Sequence, residues 1–170
     1  ILTCLAPAHA GLTPSEVIVV VNGQSLSSRT LANHYARLRQ IPSINIVVLE
    51  DVPDAETITV ADFREKILKP LLLEIEQRKL ANHVQCIAYS ADFPTAIDIS
   101  ADLTELKDLH TVFTKVASIN GLTYLYDLTQ RSDPAYITTE ANFYARRPMS
   151  VYFTNPGGKE TEELWSEINI

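Results

Sequence analysis

Apolar residues run without interruption from 17 to 21, Val-Ile-Val-Val-Val, and the run stops at Asn22-Gly23. A strand buried on both faces needs that pattern, because helices cover both sides of a parallel sheet. Ser27 or Ser28 then stands where a helix cap belongs. Leu31, Tyr35 and Leu38 recur at i, i+4 and i+7. The spacing predicts a helix to Gln40 with that stripe against the sheet. Arg37 and Arg39 suit the dipole at its C-terminal end, and Pro42 stops it. Residues 44–49 return as a second buried strand. A crossover of this length is right-handed and joins parallel strands.

The later segments read as additions to this unit. Residues 56–59 lead into a second helix, with Thr59 and Asp62 as an imperfect capping box. Phe63, Ile67, Leu71 and Ile75 form its inner stripe, with Leu68 and Leu72 beside them. Pro70 falls inside the pattern and is expected to kink or divide the helix, which Asn82 ends. Residues 84–89 form the third strand, and Ser90-Ala91-Asp92-Phe93-Pro94-Thr95 is the loop after it. Residues 96–101 alternate like a short edge strand. A third helix is expected over 104–118, with Asn120-Gly121 capping it or separating two helical pieces. Residues 122–128 read as helix, and Ser132-Asp133-Pro134 breaks the chain. Residues 135–148 look like an irregular surface excursion, and 149–154 like a fourth strand ending in Asn155-Pro156-Gly157-Gly158. A last helix starts near Thr161, with Leu164, Trp165 and Ile168 apolar.

This alternation predicts an α/β fold: a three-layer sandwich around a mainly parallel, doubly wound sheet of about four strands. The expected order is 2-1-3-4, flavodoxin-like or caspase-like, with ligands at the carboxyl ends of the strands.

With 170 residues and 46% hydrophobic content, one domain with an ample core is expected. A net charge of -7 argues against nucleic-acid or anionic-membrane binding, which needs a basic face. No apolar run is long enough to span a bilayer. Residues 1–10 resemble the tail of a secretory signal, with Ala8-His9-Ala10 fitting the A-x-A cleavage pattern. The expectation is an exported, periplasmic or extracellular protein. Residues 11–170 would be one domain, the N-terminal part of a longer chain. Cleavage after Ala10 would remove Cys4 and leave Cys86 alone, an inert buried thiol within a strand.

Val19-Val20-Val21-Asn22, Ser28, Leu31-Ala32, Tyr35-Ala36, Arg39, Ile41-Pro42 and Asn45-Ile46 together form a recognisable opening. It resembles that of an uncharacterised family of exported bacterial proteins. That family has a strand ending in Asn, a helix with a Tyr-Tyr-Ala-like centre and an Arg, then Ile-Pro and Asn-Ile. Pro70 stands where the family has a mid-helix proline. Phe93-Pro94 is similar to its Gly-Val-Pro-like turn, with Asp92 replacing Gly. Asn142-Phe143-Tyr144 resembles an Asn-Pro-Tyr-like segment without the proline. Asn155-Pro156-Gly157 stands in place of Arg-Leu-Asp-Gly, so a charged pair is missing. The resemblance brings no established activity with it.

Candidate chemistry gathers after the first strand. Gly23-Gln24-Ser25-Leu26 sits where the SGNH hydrolases (the Gly-Asp-Ser-Leu esterases) carry their nucleophile. Ser25 would need a histidine base and an oxyanion hole. The expected Asp-x-x-His is absent, because Lys107-Asp108-Leu109-His110 is one residue off. Ordinary turn chemistry explains the same loop. A caspase-like or gingipain-like peptidase would need His and Cys where Ser90-Ala91-Asp92 and Thr154-Asn155 stand. Asp92, Asp98 and Asp102 lack calcium-loop spacing, and His9, His34, His83 and His110 are scattered, so no metal site is expected. Asn22-Gly23-Gln24-Ser25 and Pro156-Gly157-Gly158-Lys159 each precede a helix. Neither is a P-loop or a Gly-x-Gly-x-x-Gly, so no cofactor is expected. Arg146-Arg147 reads as a solvated pair before Pro148 or as a surface for an anion or a partner.

Two functions of different class follow. One is a non-catalytic or partner-dependent binding domain, its partner the remainder of the same protein or a small polar ligand. The other is a serine hydrolase using Ser25. Topology places a binding site at Asn22, Gly23, Gln24, Ser25, Ser90 and Asp92, with Asn155 and Gly157 further along. Asp92 would oppose an anion there.

Overall fold

The computed structural model describes residues 11–104 and 114–137. Strand β1 (Val17–Asn22) is the centre of a three-stranded parallel sheet. On one side it pairs with β2 (Ile46–Leu49), with Val20 opposite Val47. On the other it pairs with β4 (Cys86–Tyr89), with Val19 opposite Ala88. In chain order these are the first, second and third expected strands, arranged 2-1-3. All six β1 residues are buried, as a doubly covered strand requires. Ile18 and Val20 enter the larger core with Val47 and Leu49, while Val17, Val19 and Val21 enter a smaller one beneath α1 (Leu26–Arg39).

Helix α1 sits on the sheet by a different face from the one expected. Leu31, Tyr35 and Leu38 are 52%, 37% and 67% exposed, and the buried positions are Ser28, Ala32 and Ala36. Two stripes share the 3.6-residue period, and the small one permits close approach of the helix to β1. The cap is Ser25, not Ser27 or Ser28: its Oγ accepts from the Ser28 N–H at 3.0 Å. Ser28 is itself buried, and its Oγ accepts from the Asn22 N–H at 2.9 Å. Gln40 closes the helix in the left-handed region (φ 55°), with the Ile41 N–H bonded to the Ala36 carbonyl at 2.9 Å.

Thr59 caps the second helical stretch, accepting from the Asp62 N–H at 3.1 Å. The stretch runs as α2 (Val60–Asp62), a π-helical segment (Phe63–Leu68) and α3 (Lys69–Gln77). Pro70 stands in the first turn of α3, so the stretch is divided next to it, between a π-helical and an α-helical part, without losing its helical course. The wider π turn precedes it and accommodates a residue that lacks a donor and crowds the carbonyl four residues back. Phe63, Ile67, Leu68, Leu71 and Ile75 are buried along the expected stripe. The helix ends at Gln77 and not at Asn82, because left-handed Lys79 (φ 57°) turns Leu80 back into the core.

A second sheet was not foreseen. It contains β3 (Thr57–Thr59), β5 (Ala96–Asp98) and β6 (Val116–Ser118) in the order β3-β5-β6. The first pair is parallel and the second antiparallel. The alternating segment at 96–98 is thus a central strand, with Ile97 fully buried, rather than an edge. Residues 116–118 are strand, so the third helix does not extend over them. Residues 104, 114 and 115 are not helical either; residues 105–113 of that expected helix lie outside the described residues, as do the fourth strand and last helix. Helices α4 (Ile119–Tyr124) and α5 (Tyr126–Gln130) follow, as the helical reading of 122–128 expects. Ser118 caps α4, with Asn120 and Gly121 inside its first turn. No helix among the described residues is long and apolar enough to cross a membrane.

Tyr89 ties the two halves together. Thr123 commits its one hydroxyl proton to the Ile119 carbonyl at 2.8 Å, so the Tyr89 hydroxyl donates to Thr123 at 2.9 Å. Burial pushes the Tyr89 hydroxyl up to about 12. A raised folded-state pKa means that this stability is fully present below the unfolded value of about 10. It is lost as pH rises through the folded value. Denaturant titrations at rising pH should show stability falling between about pH 10 and 12, with a shallower fall in Tyr89→Phe. An identical fall in the variant would contradict this assignment.

Candidate functional site

The loops after β1, β2 and β4 meet at the carboxyl edge of the parallel sheet. Asn22 is the hub. Its Oδ1 accepts from the Gln24 N–H at 3.1 Å, closing the turn, and its Nδ2 donates to the Asp92 carbonyl at 2.7 Å. Ser25 Oγ, which caps α1, donates its proton to the Asp92 carboxylate. Ser90 donates through Oγ to the Ser28 carbonyl at 2.7 Å and through its N–H to the Val20 carbonyl at 2.9 Å. Asp92 itself is left-handed (φ 58°), a conformation that aspartate tolerates better than most residues.

Gly23 has a reason of its own. Its N–H donates to the Leu49 carbonyl at 2.8 Å, and the Glu50 carboxylate lies over its Cα. A Cβ there would fall 2.5 Å from Glu50 Oε2, so any side chain forces Glu50 to move. Glu50 is a member of this edge that sequence reasoning missed. The signal was available: it is the first residue after β2, and topology sends that loop to the same edge.

An open groove of about 840 Å³ ends at this cluster. It follows the side of β4 that has no strand partner among the described residues and is closed opposite by Ile119, Thr123 and Tyr126. Ser90 and Asp92 line it; Ser25 touches Asp92 from outside the lining. Gln24 is exposed and points to no partner through its side chain among the described residues. The structure thus brings Asn22, Gly23, Ser25, Ser90 and Asp92 together, with Gln24 on their rim. Asn155 and Gly157 lie outside the described residues. Cys86 opens β4 half-buried on the groove, which corrects the expectation of a fully buried thiol.

The chemistry of this arrangement is that of a held polar edge. Ser25 has its oxygen in a cap and its proton on a carboxylate. No histidine stands near it among the described residues. His34 lies nine residues along α1, roughly 13 Å away by helix rise, exposed beside Arg37. His83 precedes β4 and so lies at the opposite edge of the sheet. Among the described residues, neither Glu50 nor Asp92 has an ion-pair partner. The other aspartates weighed with Asp92 are engaged elsewhere. Asp98 accepts from the Ser100 N–H at 2.9 Å, and Asp102 is held by Arg64 and Tyr136. No group of three possible metal ligands forms among the described residues.

No family model matches the chain, and no curated protein or solved structure emerges as similar to it.

Proposed function

We propose that this is an exported, non-catalytic binding domain of a larger bacterial protein. Its site is the edge formed by Asn22, Gly23, Gln24, Ser25, Ser90 and Asp92, and its ligand is a neutral polar molecule or a cation. The observation that carries this reading is the double use of Ser25. Its oxygen caps α1 and its proton goes to the Asp92 carboxylate, so the hydroxyl is held in place with no histidine beside it among the described residues. A serine nucleophile needs an acceptor that returns the proton later, and the described residues supply only a carboxylate. Two carboxylates without an ion-pair partner among the described residues, Asp92 and Glu50, disfavour an anion at this edge. The architecture that fits is a doubly wound, flavodoxin-like sheet in which a further strand lies beyond β4.

Two measurements test the proposal. In amide NMR spectra, trehalose or calcium should shift the Ser25, Ser90 and Asp92 signals, while inorganic phosphate leaves them in place. Shifts caused by phosphate alone would refute the ligand class. Export is tested separately. N-terminal sequencing of the protein matured from its full precursor should begin at Gly11, and a mature product retaining residues 1–10 would refute export through that signal.

A further inference from the structure

We propose that Arg78 plugs the outer edge of β2 and so keeps that edge from pairing with a second copy of this chain.

Strand β2 has one strand partner among the described residues, β1. The Gly23 N–H bonds the Leu49 carbonyl, so Leu49 and, by alternation, Val47 turn their backbone polar groups to β1. Those of Ile46 and Val48 turn outward. An outward row of N–H and C=O groups is a template for another strand. The sequence here makes the template sticky. Residues 43–49, Ser-Ile-Asn-Ile-Val-Val-Leu, carry no charge and no proline and are mostly β-branched. Ile44 is 52% and Val48 45% exposed, so the edge also offers apolar side chains. The same segment on a second copy is its complement, because two such edges can pair about a two-fold axis.

One side chain closes this edge. Arg78 is the residue that ends α3. Its Nη1 donates to the Ile44 carbonyl at 2.9 Å and to the Ile46 carbonyl at 2.7 Å. The Ile46 N–H is taken as well, by the Ser43 carbonyl. Both outward groups of the first β2 residue are therefore spent within the chain. The other side of the guanidinium is held by Glu74, one helical turn earlier, with Nε at 2.8 Å and Nη2 at 2.6 Å from its Oε2. That double engagement needs the planar, five-donor fork of arginine, which lysine lacks. The ion pair is partly exposed and adds little stability by itself, so what it fixes is the position of the plug. Val48, next along, is where an incoming strand would pair once the plug is gone.

Sedimentation of the whole chain tests this at about 0.15 M salt or above, where the net charge of -7 is screened. Arg78→Met keeps an unbranched stem and removes the donors. It should self-associate at least about tenfold more tightly than wild type, and its Val48 amide should gain protection as concentration rises. The wild-type Val48 amide should be indifferent to concentration. Adding Val48→Lys to Arg78→Met puts a charge on the exposed edge and should restore the wild-type mass. A fold loosened by the loss of Arg78 would not be rescued in this way. Association that persists with Val48→Lys would therefore overturn the proposal. So would an Arg78→Met protein that keeps the wild-type mass, or a wild-type Val48 amide whose protection grows with concentration.

Discussion

Asp102→Ala is expected to cost about 3–5 kcal/mol of folding stability, the usual penalty for orphaning one member of a buried ion pair. Asp102 accepts from Arg64 Nη1 at 3.1 Å, from Arg64 Nη2, and from the Tyr136 hydroxyl. The side chains are only 15% and 9% exposed, so solvent screens the pair weakly. Arg64 cannot swing out cheaply, because its Nε also donates to the Thr129 carbonyl at 2.6 Å. The cluster joins the π-helical segment, the turn after β5, α5 and the 3₁₀ turn at Pro134–Ile137. Burial first, and then the hydrogen bond to Asp102, holds the Tyr136 hydroxyl well above its ordinary range. Urea titration measures the loss. Arg64→Met with Asp102→Leu should lose less than Asp102→Ala alone, since no charge is then stranded. A loss below about 1 kcal/mol for Asp102→Ala would mean that the pair is as weak as a surface one.

Phe63→Ala is expected to cost a similar 3–5 kcal/mol or so, through a cavity that its neighbours cannot close. Phe63 is fully buried in the larger core and opens the π-helical segment, where the backbone is already widened. Leu38→Ala is the matched comparison. That leucine sits on the outer face of α1, and its removal should change stability by less than about 0.5 kcal/mol. Comparable losses for both variants would reverse the assignment of which face of α1 packs on the sheet.

That face shows where the sequence was legible and where it was not. The run at 17–21 announced a doubly covered central strand, because no other element needs five apolar, mostly β-branched residues in a row. The stripe from Phe63 to Ile75 was equally plain, since large apolar residues at helical spacing have one place to go. On α1, Leu31, Tyr35 and Leu38 compete with Ser28, Ala32 and Ala36, and hydrophobicity alone picks the wrong set. What decides is how closely the helix approaches β1, which the sequence pattern does not encode. The second sheet was hidden for a related reason. Alternation shows only around β5, where it reads as an edge; β3 and β6 are three residues long with no such signal, and β6 has a single half-buried position.

The edge cluster was legible as a location. Parallel topology sends the loops after β1 and β4 to one end, and Asn22, Ser25, Ser90 and Asp92 meet there. Their wiring was not legible. That Ser25 rather than Ser28 caps the helix depends on the Ser28 hydroxyl being drawn inward to the Asn22 amide. Glu50 was overlooked because it reads as the exposed end of a strand, and only Gly23 shows how near it lies.

The central claim is that Ser25 is a positioned cap and not a nucleophile, and an acyl-ester assay tests it most directly. Wild type and Ser25→Ala would be compared on short acyl esters and acetylated sugars, with stability followed in parallel. The account predicts no turnover above background in either protein, and a stability loss of about 1 kcal/mol in the variant from the missing cap. Clear turnover by the wild type that disappears in Ser25→Ala would contradict it and establish the edge as a hydrolase site.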